Sequence, residues 1–156
     1  MRSIATYIAF IFAASISQVG HAKSTIAVGT VAEKSLGASI LYLQNPFQGF
    51  HLALQKDTNQ SYTTTIDFHQ YFSVRGAKAV IGAWAHLASY VGIGIRSRAT
   101  IAAEENDSIG MRAPVGFELS LKAFPVQILG DVAIELSPSD LSAPKFTPRV
   151  GARAVF

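Results

Sequence analysis

Of the four histidines in this sequence, the three that follow residue 22 are the side chains best suited to metal chemistry: His51, His69 and His86. Imidazole nitrogens form a zinc site when three or four ligands converge at short range. The three histidines show no paired spacing along the chain, and the sequence contains no cysteine that could complete a ligand set. We therefore expect them to be polar packing groups, and we expect neither a metal site nor a cofactor.

An enzyme that trims or transfers acyl chains on lipid A would need a serine, a histidine and a carboxylate in one place. His86 and Ser89 are three residues apart in an alternating stretch, so their side chains should point to opposite faces. His69 has no serine nearby within its own predicted strand, residues 62–72. The sequence therefore predicts no catalytic residues and no enzyme. A lipid A-modifying barrel enzyme remains the weaker alternative.

In the segments that carry these residues, apolar and polar side chains alternate with a period of two. From Met111 to Lys122 every odd position is apolar and every charge falls on an even position. A helix cannot separate them in that way, but a strand does. The same alternation appears in segments 50–55, 62–72, 86–98, 126–137 and 145–156, and more weakly in 25–31 and 36–43. With turn residues between them, these segments predict about eight strands of about ten residues, the length that a tilted strand needs to cross a bilayer.

One segment offers a different interpretation. Ala79 to Ile95 carries no formal charge and could be a transmembrane helix. It contains Gly82, Gly92 and Gly94, however, and each glycine costs about 1 kcal/mol in a helix relative to alanine. Its second half also alternates strictly, which favours a strand. We expect glycines on the polar face to leave room for a bulky neighbour or to let the strand bend.

The N-terminus has the layout of a cleaved signal peptide, residues 1–22. Arg2 precedes an uncharged apolar run, Ile4 to Ile16, and Gly20-His21-Ala22 offers small residues at the cleavage site. The alternative, a membrane anchor, would need about 20 apolar residues. Residues 23–156 would then form one β-barrel domain. The full chain has 13 basic and 10 acidic residues, and without Arg2 the balance is 12 to 10. The basic residues do not cluster, which argues against a nucleic-acid partner.

The composition bears on which face of a barrel would be inside. Charged residues make up only 15% of the chain, against about 25% in ordinary soluble domains. The polar face combines charges of both signs with glycines such as Gly116 and Gly151, which suits the narrow interior of an eight-stranded barrel. The uncharged apolar face suits hydrocarbon. The alternative is a soluble periplasmic, lipocalin-like barrel with the opposite polarity, which would bind a small apolar ligand.

The most specific expectation concerns five charged residues on the polar faces of the last three predicted strands. They are Arg112, Asp131, Glu135, Arg149 and Arg153. Consecutive strands should be neighbours, and an unpaired buried charge costs several kcal/mol, so the charges should pair. We predict that Asp131 and Glu135 lie between arginines of the two flanking strands. Such a network would fill the interior and leave no continuous pore.

Two segments carry a resemblance to known proteins. Ile109–Phe117 and the ending Gly151–Phe156 resemble small, mostly uncharacterised outer-membrane β-barrel proteins of Gram-negative bacteria, similar in plan to OmpA and OmpX. The resemblance covers residues 84–156. This sequence departs from the group at Asp131 and Ile134, where the group usually has glutamate and proline. It also has Ala154 and Val155 where the group usually has two tyrosines.

The resemblance implies an all-β fold, an up-and-down antiparallel transmembrane barrel located in the cell outer membrane. Phe156, a terminal aromatic residue on the apolar face, would be the assembly signal. The expected partners are outer-membrane lipid and the barrel assembly machinery; no other partner or ligand is indicated. The role would be structural or interactive. With periplasmic termini, loops near 32–36, 56–61, 99–108 and 137–145 would face outward, and the third, which holds Glu104, Glu105 and Asp107, would offer a contact surface.

Overall fold

The computed structural model of the protein describes residues 24–57, 61–73, 84–100, 108–137 and 140–156. The strands are β1 Thr25–Ala32, β2 Leu36–Asn45, β3 Gln48–Lys56, β4 Ser61–Ser73, β5 Ala85–Thr100, β6 Ser108–Leu121, β7 Val126–Ser137 and β8 Asp140–Val155. The all-β fold of about eight strands is confirmed. The predicted signal peptide and the acidic loop around Asn106 lie outside the described residues. Within the described ranges, no helix is long and apolar enough to cross a membrane.

The strands close into a barrel in chain order. Each pairs antiparallel with the next, and β8 pairs with β1 from Val155 opposite Ala27 to Val150 opposite Ala32. At the seam the Phe156 amide donates to the Ile26 carbonyl oxygen at 2.8 Å. Closure pairs the edges that an open sheet would expose, which hydrocarbon does not tolerate. The up-and-down order puts both termini at one end, which we call the terminal end, and turns β1–β2 and β3–β4 at the opposite end.

The barrel is polar inside and apolar outside. Val115 and Phe117 on β6 point outward and are each 57% exposed, whereas Arg112 on the same strand points inward and is 1% exposed. Ile93 on β5 and Val132 on β7 likewise face outward. This polarity is the reverse of a lipocalin-like barrel, so that alternative is wrong for the described part of the chain.

Interior glycines make room for charged neighbours, as the sequence suggested. A side-chain carbon added at Gly94 would overlap Asp67, and one added at Gly116 would overlap Asp131. Gly130 lies on the outer surface instead, and nothing lies within 4 Å of the same added atom there. The lumen of an eight-stranded barrel is narrow. A large charged side chain therefore fits where the neighbouring interior position is a glycine.

Leu129 and Ala133 break the polar pattern of the inner face of β7, and both are buried inside the barrel. Leu129 forms an apolar cluster with Val31 and Ala53. Near the terminal end a second interior cluster joins Leu41 with Tyr71 and Tyr90. Apolar groups are compatible with a barrel interior wherever packed side chains, rather than water, surround them.

Candidate functional site: the charged interior and the two rims

Asp67 on β4 lies at the centre of the barrel's charged interior. One carboxylate oxygen, Oδ1, is 3.3 Å from Nε of Arg112 on β6, and the other, Oδ2, is 3.4 Å from Nη2 of Arg149 on β8. The three side chains are at most 1% exposed. The contacts therefore link strands that are not neighbours, across the lumen.

Asp131 on β7 completes this group. Its Oδ2 accepts hydrogen bonds from Nε and Nη2 of Arg149, at 2.9 and 2.6 Å, and from the Tyr90 hydroxyl at 2.6 Å. Its Oδ1 is 3.8 Å from Nη2 of Arg112. The structure thus places Asp131 between arginines of β6 and β8, the two strands that flank β7.

Arg153 belongs to a separate cluster closer to the terminal end. Its Nη1 donates to Glu118 Oε2 at 3.3 Å, and its Nε donates to the Ser39 hydroxyl at 3.2 Å. The Tyr71 hydroxyl donates to the same Glu118 oxygen at 3.2 Å. Arg153 is therefore buried and paired, but its partner is Glu118, a residue outside the predicted network.

Glu135 requires a correction. We predicted it between arginines of the strands beside β7, but its oxygens lie 2.6 and 2.7 Å from Nη1 of Arg96 on β5. The same Nη1 is 2.8 Å from Glu33 Oε1 in the β1–β2 turn. Gly110, the partner of Arg96 on β6, has no side chain, so nothing there blocks the guanidinium from reaching over to β7. Arg112 is the register partner of Glu135, but its side chain contacts Asp67 instead.

The structure also brings together two of the three histidines, which the sequence did not predict. Possible metal-ligating atoms of His51, Asp67 and His69 all lie within 4.8 Å of one another, and all three residues are fully buried. His51 Nδ1 is 3.5 Å from Asp67 Oδ2, and His69 Nε2 is 3.8 Å from it. His86, at the terminal end of β5, is not part of this group.

Two imidazoles and a carboxylate could in principle bind a transition metal. Here the same carboxylate faces Arg112 and Arg149, and Nη1 of Arg149 lies 3.2 Å from His51 Nδ1. A divalent cation at this point would be strongly repelled by two guanidinium groups in a poorly screened interior. Three buried carboxylates (Asp67, Glu118, Asp131) already face three buried guanidinium groups (Arg112, Arg149, Arg153). The donor set therefore fits an internal ion-pair network better than a metal centre.

The outer surface differs between the two rims. Exposed aromatic side chains gather near the terminal end: Tyr42, Phe47, Phe72, Trp84, Phe117, Phe124 and Phe156. At the opposite rim the outward residues include Lys56, whose Nζ lies 6.0 Å from the centre of the Tyr62 ring. Aromatic rings and lysines are enriched where barrels meet the polar boundary of a membrane. The two rims are therefore chemically suited to two membrane boundaries, with an apolar band between them.

These features define a small closed antiparallel barrel of eight strands, with the strand plan of barrels such as OmpA and OmpX. Comparison with solved structures shows similarity to the crystal structure of the N-terminal β-barrel domain of Pseudomonas aeruginosa OprF, with a TM-score of 0.55. The similarity covers 85% of this chain and 96% of that chain at 12% sequence identity, so it concerns the fold alone. No protein-family model matches the sequence, and neither does any curated protein.

Proposed function

We propose that this protein is exported by a signal peptide to the outer membrane of a Gram-negative bacterium, where it has a structural or interaction role. In this proposal the barrel spans the membrane and its interior is filled and inactive. The polarity of the barrel is the observation that carries it. Arg112 and Arg149 are buried inside, whereas Val115, Phe117 and Val150 cover the outside. Exposed apolar surface of this extent is costly in water and favourable in hydrocarbon.

Packing supports the filled interior. The largest fully buried side chains include Arg112, Arg149, Tyr90, Leu41 and Leu129, which belong to five different strands. Ion pairs fix the arginines, and rings pack against each other, with His69 stacked on Tyr90 at 4.3 Å between centroids. A lumen filled by paired and stacked side chains should carry no steady ion current, which would distinguish this protein from a porin.

The position of the histidines supports an inactive barrel over an acyl-modifying one. His51 and His69 are 0% exposed and face guanidinium and carboxylate groups inside the barrel, where an acyl chain in the membrane has no access. His86 and Ser89 lie near the terminal end of β5, the rim that we assign to the periplasm. Neither arrangement presents a serine, a histidine and a carboxylate to the outer leaflet.

Fractionation of cells tests the location of the protein, and conductance recordings test whether its interior is filled. The protein should resist extraction with carbonate and require detergent, whereas a soluble periplasmic barrel would be released by osmotic shock. Purified protein in planar bilayers should show no steady conductance. Release by osmotic shock would contradict the membrane location, and large, stable channels would contradict the filled interior.

A further inference from the structure

A cleft of about 640 Å³ opens at the rim opposite the termini. It lies over the ends of β6, β7 and β8 and beside the β1–β2 turn. Its charged lining residues are Glu33, Lys34, Arg96, Arg98, Glu135 and Lys145. The ion-pair network described above does not use the lysines of this cleft.

The charges of the cleft do not balance. Glu33 and Glu135 share one guanidinium nitrogen, Nη1 of Arg96, so this group of three side chains keeps one negative charge. Arg98 is 3.4 Å from Asp57 and retains 37% exposure of its side chain. Lys34 and Lys145 are exposed and form no ion pair with any other residue that the structure describes. The lining has four cationic side chains against two carboxylates, so the cleft keeps a net positive charge even after Asp57 offsets Arg98.

One flank of the cleft is apolar and continues onto the outer surface of the barrel. Ile109, Met111 and Phe146 line it and are 63%, 51% and 68% exposed. Their neighbours along the strands, such as Val115 and Val150, belong to the band that faces hydrocarbon in the proposed function. The cleft thus has cationic side chains on one side and apolar side chains on the other.

We propose that this cleft binds the phosphorylated headgroup of a lipid from the outer leaflet. Lys34 and Lys145 contact the phosphate, and an acyl chain lies against Ile109, Met111 and Phe146. Lysine acts as a mobile point charge toward phosphate, and the apolar flank adds burial of hydrocarbon that a free anion cannot supply. The proposal rests on the proposed function, since it requires the opposite rim to lie in the outer leaflet.

Native mass spectrometry of the folded full chain in zwitterionic detergent tests the headgroup. The probes are diphosphoryl lipid A, fully dephosphorylated lipid A with the same acyl chains, and inorganic phosphate. We expect one molecule of the diphosphoryl form to be retained far more than the other two probes. Equal retention of the two lipids would overturn the assignment to phosphate. Equal affinity for inorganic phosphate would overturn the lipid as the occupant.

Charge-removing variants then test the site. Lys34→Gln and Lys145→Gln should each weaken binding of diphosphoryl lipid A about fivefold, the effect typical of one lysine near an anionic membrane surface. Lys56→Gln is the matched control, because Lys56 lies at the same rim but does not line the cleft. Unchanged binding in the double variant, or an equal loss in the control, would overturn the site.

Failure of the proposed function gives a different result. A wild-type chain that does not form a heat-modifiable barrel in detergent, or that stays soluble without it, would contradict the membrane barrel itself. A folded barrel that binds the lipids without regard to phosphate contradicts only the cleft.

Discussion

Arg149 donates two hydrogen bonds to a single oxygen of Asp131, from Nε at 2.9 Å and from Nη2 at 2.6 Å. The two residues are register partners on β7 and β8, and their side chains are at most 1% exposed. The pair connects neighbouring strands, while Arg149 also contacts Asp67 on the far side of the lumen. A single arginine thus joins three strands, which makes the interior network a structural element of the barrel.

Removal of the Asp131 carboxylate should destabilise the barrel strongly. Asp131→Ala removes the closest partner of Arg149 and leaves the single carboxylate of Asp67 to face both Arg149 and Arg112. One buried positive charge is then uncompensated, so we expect a loss of about 3–5 kcal/mol in the free energy of unfolding. Urea titration of the protein folded in lipid vesicles measures it. Glu135→Ala is the comparison: Glu33 still pairs with Arg96 there, so we expect a smaller loss of about 1–2 kcal/mol. If Asp131→Ala left the free energy of unfolding unchanged, these charges would be solvated rather than buried and paired.

Two glycine variants separate interior packing from backbone effects. Gly94→Ala forces a methyl group against Asp67 and should cost about 1–3 kcal/mol, as overpacking does in other cores. Gly130→Ala places the same methyl group on the open outer surface and should change stability by less than about 0.5 kcal/mol. Thermal unfolding in detergent gives both values. Equal effects of the two variants would rule out crowding of the lumen as the cause.

The fold could be predicted from the alternation of side chains along each strand. The contacts across the lumen could not be predicted in this way. A period of two on β6 and β7 states which residues share a face, so the burial of Arg112 and Asp131 on one side follows from the sequence. It does not state which residues meet across the barrel, because that depends on the closure and stagger of all eight strands. Sequence reasoning therefore missed the meeting of His51 with His69 and the pairing of Arg96 with Glu135. Gly110 explains the second contact only once the register of β5 and β6 places it opposite Arg96.

Phe156 should matter for assembly more than for export. Deletion of Phe156, or Phe156→Asp, should leave translocation across the inner membrane intact but reduce the amount inserted in the outer membrane. The residue is 80% exposed on the outer surface, and its amide closes the seam to Ile26. Phe146→Ala, which removes another outward aromatic side chain from β8, is the control and should assemble normally. Immunoblots of membrane fractions measure the amount of inserted protein. Normal insertion of the truncated chain would count against the membrane assignment.

Accessibility on intact cells tests the orientation. An epitope inserted at Asn106, between β5 and β6, should be labelled on whole cells if the termini are periplasmic. An epitope in the β2–β3 turn at Pro46 should be labelled only after the outer membrane is broken, because that turn lies at the terminal end. The reverse pattern would overturn the orientation, and with it the assignment of the aromatic rim to the periplasmic leaflet.

The central claim is that the apolar face of the barrel meets hydrocarbon. The chain has no cysteine, so single cysteines can carry spin labels without background. Labels at Met111, Val115 and Leu119, three outward positions along β6, should be accessible to oxygen and shielded from a water-soluble nickel reagent in vesicles, most of all at Val115. A label at Lys34 on the rim is the control and should show the opposite preference. Strong access of the nickel reagent to Val115 would contradict the account.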